Sequence, residues 1–192
     1  IVGALIIPKS MITLKNIALN KSRIAFIDIL KKMGGKIKVK KTRTVSGEDV
    51  GNIHVSYSSL NAIKIKASAA PYLIDEYPIL SIAASQAKGV TVMRGLSELR
   101  HKESDRIKSI TTNLSKIGFK VISKKDDISI KGSNKILINN QKKIKTYGDH
   151  RIAMSFLILS LLYKNKLIID DETCISISYP DFKKHLKQLS TH

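Results

Sequence analysis

The stretch Pro78–Met93, PILSIAASQAKGVTVM, decides how the chain is to be folded. Its first ten residues carry Ile79, Leu80, Ile82, Ala83 and Ala84 on nearly every face, with no strand-like alternation. A helix that is apolar almost all round has to lie inside the molecule rather than on its surface. Gly89 closes it, and Val90–Met93 is a run of β-formers that reads as a strand. A buried helix followed by a strand places the sheets outside the helices.

The same pattern recurs on either side. Downstream, 105–117 predicts an amphipathic helix (Ile107, Ile110, Leu114, Ile117) ended by Gly118, followed by strands at 119–123 and 128–131. A second mostly apolar helix is predicted over 152–162, a strand over 167–169 and a final amphipathic helix over 180–189. Upstream, 11–19 predicts a strand and 22–34 an amphipathic helix, with Ser22 as N-cap and Gly34-Gly35 as its end. Alternating strands follow at 36–41, 52–58 and 61–66. The unit of buried helix, Gly, strand, polar loop, amphipathic helix, Gly and two strands thus starts near Ile1, Pro78 and Ile152, the last copy cut short. The expectation is a single α/β domain, 1–192, built of repeats with helices inside and sheets outside.

Composition narrows the function. No apolar run reaches the ~18 residues needed to span a membrane, and a single cysteine, Cys174, allows no internal disulfide. A soluble, cytoplasmic protein without a membrane partner is expected. The net charge of +19 raises nucleic-acid binding, but the excess is Lys scattered along the chain and aromatics are only 5%. That is too few for base stacking, so no nucleic-acid partner is expected; a basic field would instead steer small anions into a cleft. Ile1–Pro8 reads as the last turns of a helix whose beginning is missing, so the chain is expected to be a fragment.

Three polar clusters stand at the starts of predicted helices: Asp75-Glu76-Tyr77-Pro78, Lys102-Glu103-Ser104-Asp105-Arg106, and Tyr147-Gly148-Asp149-His150-Arg151. Unpaired N–H groups and the helix dipole favour anions at such places, and Arg or Lys there completes a phosphate or carboxylate site. Each cluster has a plainer use. Asp75 or Glu76 suits a helix cap, the 102–106 run suits a solvated ion-pair face, and Asp149 suits a cap followed by two surface residues.

Those three clusters, in that order and spacing, resemble motifs of the 5-enolpyruvylshikimate-3-phosphate synthases. Asn20–Arg23 before a helix ending Lys31-Lys32-Met33-Gly34, and Ser178-Tyr179-Pro180-Asp181-Phe182 near the end, support the resemblance over essentially the whole chain. It implies one lobe of the enolpyruvyl transferase fold, an inside-out α/β barrel of βαβαββ units, with the N-terminal lobe missing. It implies transfer of the enolpyruvyl group of phosphoenolpyruvate to the 5-hydroxyl of shikimate 3-phosphate, in chorismate biosynthesis. Phosphate is released through a tetrahedral ketal intermediate, with no metal or organic cofactor.

By similarity, Asp75 accepts the hydroxyl proton and contacts the shikimate ring. Glu103 is the acid at the methylene carbon, and Lys102 lies between the substrates and binds shikimate 3-phosphate. Arg106 and Arg151 hold phosphoenolpyruvate, and His150 is a neighbouring relay. Ile177 stands where some members carry Lys, and Glu98 where others carry Asn. Pro8-Lys9-Ser10 looks like the family's Lys-Ser pair only by chance. Two alternatives stay open: a UDP-N-acetylglucosamine enolpyruvyl transferase lobe, and a basic binding module without catalysis. Since the missing lobe would supply half of the groups, the isolated chain is expected to show no turnover.

Overall fold

The computed structural model describes residues 1–20, 24–133, 138–163 and 166–190. Helix α1 (Val2–Ile6), strand β1 (Met11–Ala18), helix α2 (Ala25–Lys32) and the hairpin β2 (Lys36–Val45)–β3 (Glu48–Ser56) form the first unit. The second runs β4 (Lys64–Ile65), a short helix α3 (Ala70–Leu73), α4 (Tyr77–Ser85), β5 (Val90–Met93), α5 (Arg106–Ile117), β6 (Lys120–Lys124) and β7 (Asp127–Lys131). The third runs β8 (Lys142–Ile144), α6 (His150–Ser160), β9 (Leu167–Ile169) and α7 (Phe182–Ser190).

The repeat is visible in the pairing. One sheet has the order β1-β3-β2 and another β4-β5-β7-β6, so β1, β3 and β2 occupy the places of β5, β7 and β6. In both, these pairs are antiparallel, and β2–β3 and β6–β7 are the hairpins. The parallel pairs β4–β5 and β8–β9 are each joined through a buried helix, α4 and α6, as a parallel crossover requires. The described strands form three separate sheets and close no barrel.

Helix α4 sits at the centre. Tyr77, Leu80, Ile82, Ala83 and Ala84 are all fully buried, as its all-round apolar sequence requires. Its two serines are buried too, and their hydroxyls turn back to donate to Pro78 O (2.6 Å, Ser81) and Ile82 O (2.8 Å, Ser85). This local bond satisfies a buried hydroxyl inside a helix. α4 packs against α1, α5, α6 and β7. The end of β7 lies directly on it: a Cβ on Gly132 would stand 2.0 Å from Ala87 O, so only glycine permits the approach.

Helix α5 is the amphipathic partner. Ile107, Ile110, Leu114 and Ile117 are buried, and Gly118 leaves the helix at φ 118°. The alternation of helix and strand, with helices inside, is as the sequence predicts. Some details differ: the strand predicted over 61–66 is limited to Lys64–Ile65, and the short helix α3 was not predicted. α6 begins two residues before the predicted Ile152, because Asp149 caps it. Strand β8 was not predicted, since Lys142-Lys143-Ile144 lacks the apolar run that marks β9. The hairpin β2–β3 extends outward to Val45 and Glu48, where its residues are exposed and carry no burial pattern. The predicted cap Ser22, and Arg23, lie outside the described residues.

Candidate functional site

The three polar clusters come together, and the residue that joins them is Arg106. It opens α5, yet its side chain is 0% exposed. Its Nε–H donates to Asp149 Oδ2 at 2.8 Å, Nη1 to Asp75 Oδ1 at 3.1 Å, and Nη2 to Glu103 Oε2 at 2.6 Å and Asp149 Oδ1 at 3.5 Å. Burial alone would lower the guanidinium pKa; the hydrogen bonds and charges of Asp149, Glu103 and Asp75 reverse this and hold it above its ordinary value. Asp75 precedes α4, Arg106 opens α5 and Asp149 precedes α6, so one side chain ties three helix starts together.

Asp149 is as buried as Arg106. It accepts from Arg151 N (2.9 Å) and Ile152 N (3.3 Å), capping α6, and from Ser104 Oγ (3.1 Å). The loop that presents it is held from both sides. The Asn113 amide, fully buried, donates to Lys145 O (2.8 Å) and accepts from Lys145 N (2.9 Å). Asp170, just after β9, accepts from Thr146 N (2.8 Å) and Thr146 Oγ1 (2.9 Å). Between these ties and Asp149, Tyr147 is held at φ 56° and Gly148 at φ 72°. A non-glycine residue in that region persists where its surroundings over-determine it.

On the solvent side Asp75 is the meeting point. Its carboxylate lies 3.5 Å from Arg151 Nη2 and 3.9 Å from Lys102 Nζ, besides its bond with Arg106. Arg151 Nη1 also donates to Asp75 O at 2.9 Å and lies 3.5 Å from Glu76 Oε1. Partial burial raises the Asp75 pKa, but Arg151, Arg106 and Lys102 outweigh it and hold the carboxyl below its usual value. Arg151 and Lys102 each keep about a third of their side chains exposed. A cavity of about 240 Å³ opens beside Asp75, Glu76 and Arg151, walled by Ile79, Met154 and Phe182.

Arg100 stabilises the approach to this cluster. It reaches Asp105 (3.2 Å), Asp126 (3.3 Å) and Lys125 O, pinning the loop at Ser97–His101 to the β6–β7 turn. Asp105 in turn caps α5 through Lys108 N at 2.9 Å. His150, the first residue of α6, is half-buried beside the cluster, and none of the bonds above involves it. Ile177 is 81% exposed at the end of a 3-10 turn. Among the described residues no group of three His, Cys, Asp or Glu is placed to hold a metal ion, and no helix is long and apolar enough to cross a membrane.

Arg151 at the cavity and Lys102 beside it, both partly exposed at converging helix starts, suit a small anionic ligand. The family model for EPSP synthase (3-phosphoshikimate 1-carboxyvinyltransferase) matches residues 1–186. The chain belongs to the EPSP synthase family. It is 42% identical over 189 residues to the 3-phosphoshikimate 1-carboxyvinyltransferase of Petrotoga mobilis, covering 98% of the chain and 43% of that relative. The corresponding protein of a Sulfurihydrogenibium species is also 42% identical, over 188 residues, again with 98% and 43% covered. This EPSP synthase family chain therefore spans under half the length of the curated relatives it matches.

Among solved structures, the EPSP synthase of Acinetobacter baumannii superposes with a TM-score of 0.88 at 34% identity, over 98% of this chain and 43% of that one. The enolpyruvyl transferase NikO of Streptomyces tendae shares the fold, at TM-score 0.67 and 16% identity over 98% of this chain and 40% of its own. All six residues proposed from the sequence stand in or beside the cluster. What sequence reasoning missed is the buried half of it: Asp149 as the partner of Arg106, Ser104 as a donor to Asp149, and Asn113 as a tie. A signal for Asn113 was present, since positions 110, 113 and 117 lie on one face of α5 with the core residues Ile110 and Ile117.

Proposed function

We propose that this chain carries one wall of an enolpyruvyl transferase site, transferring the enolpyruvyl group of phosphoenolpyruvate to the 5-hydroxyl of shikimate 3-phosphate with release of phosphate. The observation that carries the proposal is the convergence of Arg106, Arg151 and Lys102 on Asp75 at the mouth of a cleft. Asp75, kept ionised by those cations, takes the proton of the attacking hydroxyl as its oxygen bonds to the central carbon of phosphoenolpyruvate. Glu103 delivers a proton to the methylene carbon, giving the tetrahedral ketal phosphate. Loss of phosphate and of a proton from the new methyl group then regenerates the enol double bond on the product.

Arg151 and Lys102, both partly open to solvent, supply cations for the carboxylate and phosphate groups. Arg106 shares its donors among three carboxylates, so a ligand meets it only if one of them yields. His150 stands near enough to α6's start to act as a neighbouring proton relay. Chemistry on these residues needs neither metal nor organic cofactor. We take residues 1–192 as one lobe, acting in the cytoplasm with a second lobe that closes over this face.

The test is phosphate release from phosphoenolpyruvate plus shikimate 3-phosphate, with and without an added N-terminal lobe from a family member. Turnover is expected only with the added lobe, and Asp75→Ala should lower it by about 10²–10⁴-fold. Turnover that survives Asp75→Ala unchanged would remove Asp75 from the chemistry. Its absence in a folded, lobe-complemented chain would overturn the proposed activity.

A further inference from the structure

We infer that the outer face of the sheet β1-β3-β2 binds the phosphate group of a small organic ligand, in a hollow bordered by Lys36, Lys38, His54 and Ser56. The hollow measures about 620 Å³ and shares no lining residue with the cavity at Asp75 and Arg151. It is a separate place on the molecule, and the inference does not rest on the proposed activity.

Strand pairing sets out the donors. On β2, Lys36 and Lys38 lie two residues apart, so both side chains stand on the solvent face, roughly 7 Å from each other along the strand. Ser56 is paired with Lys36, and His54 with Lys38. One strand further, Met11 is paired with Ser56 and Thr13 with His54. Ile37, Ile53 and Val55, the residues between, are buried and fix which face the others occupy. The Thr13 hydroxyl lies 2.9 Å from His54 Nδ1. Donating there, it places the ring proton on Nε2, the nitrogen left for a ligand. Two ammoniums, an imidazole N–H and a hydroxyl thus meet around one hollow, and none of its lining residues is a carboxylate. Among the described residues the one ion pair of this sheet is Lys41–Asp49, outside the hollow.

The donor set selects the ligand. Lysines are point charges that approach the oxygens of a tetrahedral group from separate sides, whereas the planar fork that suits a carboxylate belongs to arginine, and none lines the hollow. Met11, 81% exposed on the same face, offers an apolar surface to the rest of the ligand. Lysines on an edge strand such as β2 also discourage pairing with other chains, but that use calls for neither a histidine nor hydroxyls on the strands beside it. The internal repeat supplies the comparison. At the matching places of the sheet β4-β5-β7-β6, Lys120, Lys131 and Val90 form one row, and Ile122, Ser129 and Val92 the next. The buried residues Ile128 and Ile130 keep the pattern of Ile53 and Val55, yet Ile122, Ser129 and Val92 stand where the first sheet has Lys38, His54 and Thr13. The repeated fold does not require that polar row.

The experiment is residue-resolved NMR of the 192-residue chain, titrated at constant ionic strength with inorganic phosphate, with phenyl phosphate and, as a control, with chloride. Saturable shifts are expected at the amides of residues 36–38 and 54–56 and at the His54 ring, with a phosphate dissociation constant in the millimolar range. Phenyl phosphate should bind more tightly than inorganic phosphate, since Met11 covers its ring. Lys38→Gln and His54→Gln change exposed side chains, and each should weaken binding by about threefold, with signals elsewhere unmoved. Arg151→Gln should leave the His54 titration as it is. Shifts of equal size around Lys120 and Lys131, or an equal response to chloride, would reduce the effect to the general basic field and overturn the site. Unchanged affinity in both Lys38→Gln and His54→Gln, loss of the His54 shifts in Arg151→Gln, or no saturable shift overturns it as well. Equal affinity for the two phosphates overturns the organic ligand.

Discussion

Arg106 reaches the cluster from the first turn of α5 and is sealed from water, whereas Arg151 reaches it from the first turn of α6 with a third of its side chain exposed. Both meet Asp75. On the Arg106 side the partners are fixed by the core: Asp149 is buried, and Asn113, seven residues along the same helix, grips the same loop. On the Arg151 side the carboxylate contacts are longer, at 3.5 Å to each of Asp75 and Glu76, and these residues line the cavity. The difference teaches that one cluster of charges contains two parts, an anchor that fixes three helix starts and a rim left free to meet a ligand.

The sharpest way to break that comparison is Asp149→Ala. It removes the α6 cap and leaves a buried guanidinium short of its principal partner, which should cost about 3–5 kcal/mol of stability. Urea unfolding measures it, and a loss under about 1 kcal/mol would mean that the Arg106 side is no anchor. Arg151→Gln should do the reverse. Its ion pairs are partly exposed, so stability should shift by less than about 1 kcal/mol. In the lobe-complemented assay, however, the KM for phosphoenolpyruvate should rise by roughly tenfold or more, about one charge-assisted contact. A variant that unfolds the chain but spares KM would exchange the roles of the two arginines.

The smallest effect is expected from acid. The Asp75 carboxyl is held below 3.8 in the folded chain, so it binds protons less readily there than when unfolded. It therefore adds stability above its unfolded pKa, and that share fades as pH falls below 3.8 towards the depressed folded value. Comparing wild type with Asp75→Asn near neutral pH and again below that window should show a small gap that closes on acidification. A gap that persists would place the carboxyl's contribution in packing rather than charge.

The sequence showed the fold where burial has a period. The all-round apolar run at 78–87 and the stripe Ile107, Ile110, Leu114, Ile117 each marked a helix within a residue or two. Strand β8 was not visible, because Lys142–Ile144 is defined by pairing with β9 and not by its own residues. The candidate site was legible as three clusters at helix starts. Which of their charges would be buried was not. Arg106 lies one residue from Ile107, and a charged residue at the edge of an apolar stripe reads as solvated unless its partners are known. Those partners are 31 and 43 positions away, at Asp75 and Asp149. Local pattern does not carry that information.

The loop around Tyr147 is tied to two elements at once. The amides of Lys145, Thr146 and Asp149 donate to Asn113 Oδ1, Asp170 Oδ1 and Thr146 O. To open, this loop must release α5 on one side and the end of β9 on the other in the same event. Local unfolding usually begins in such connections, at little free energy. Here the connection belongs to the same cooperative unit as the helices it joins, so its amides should exchange with solvent at the pace of the core.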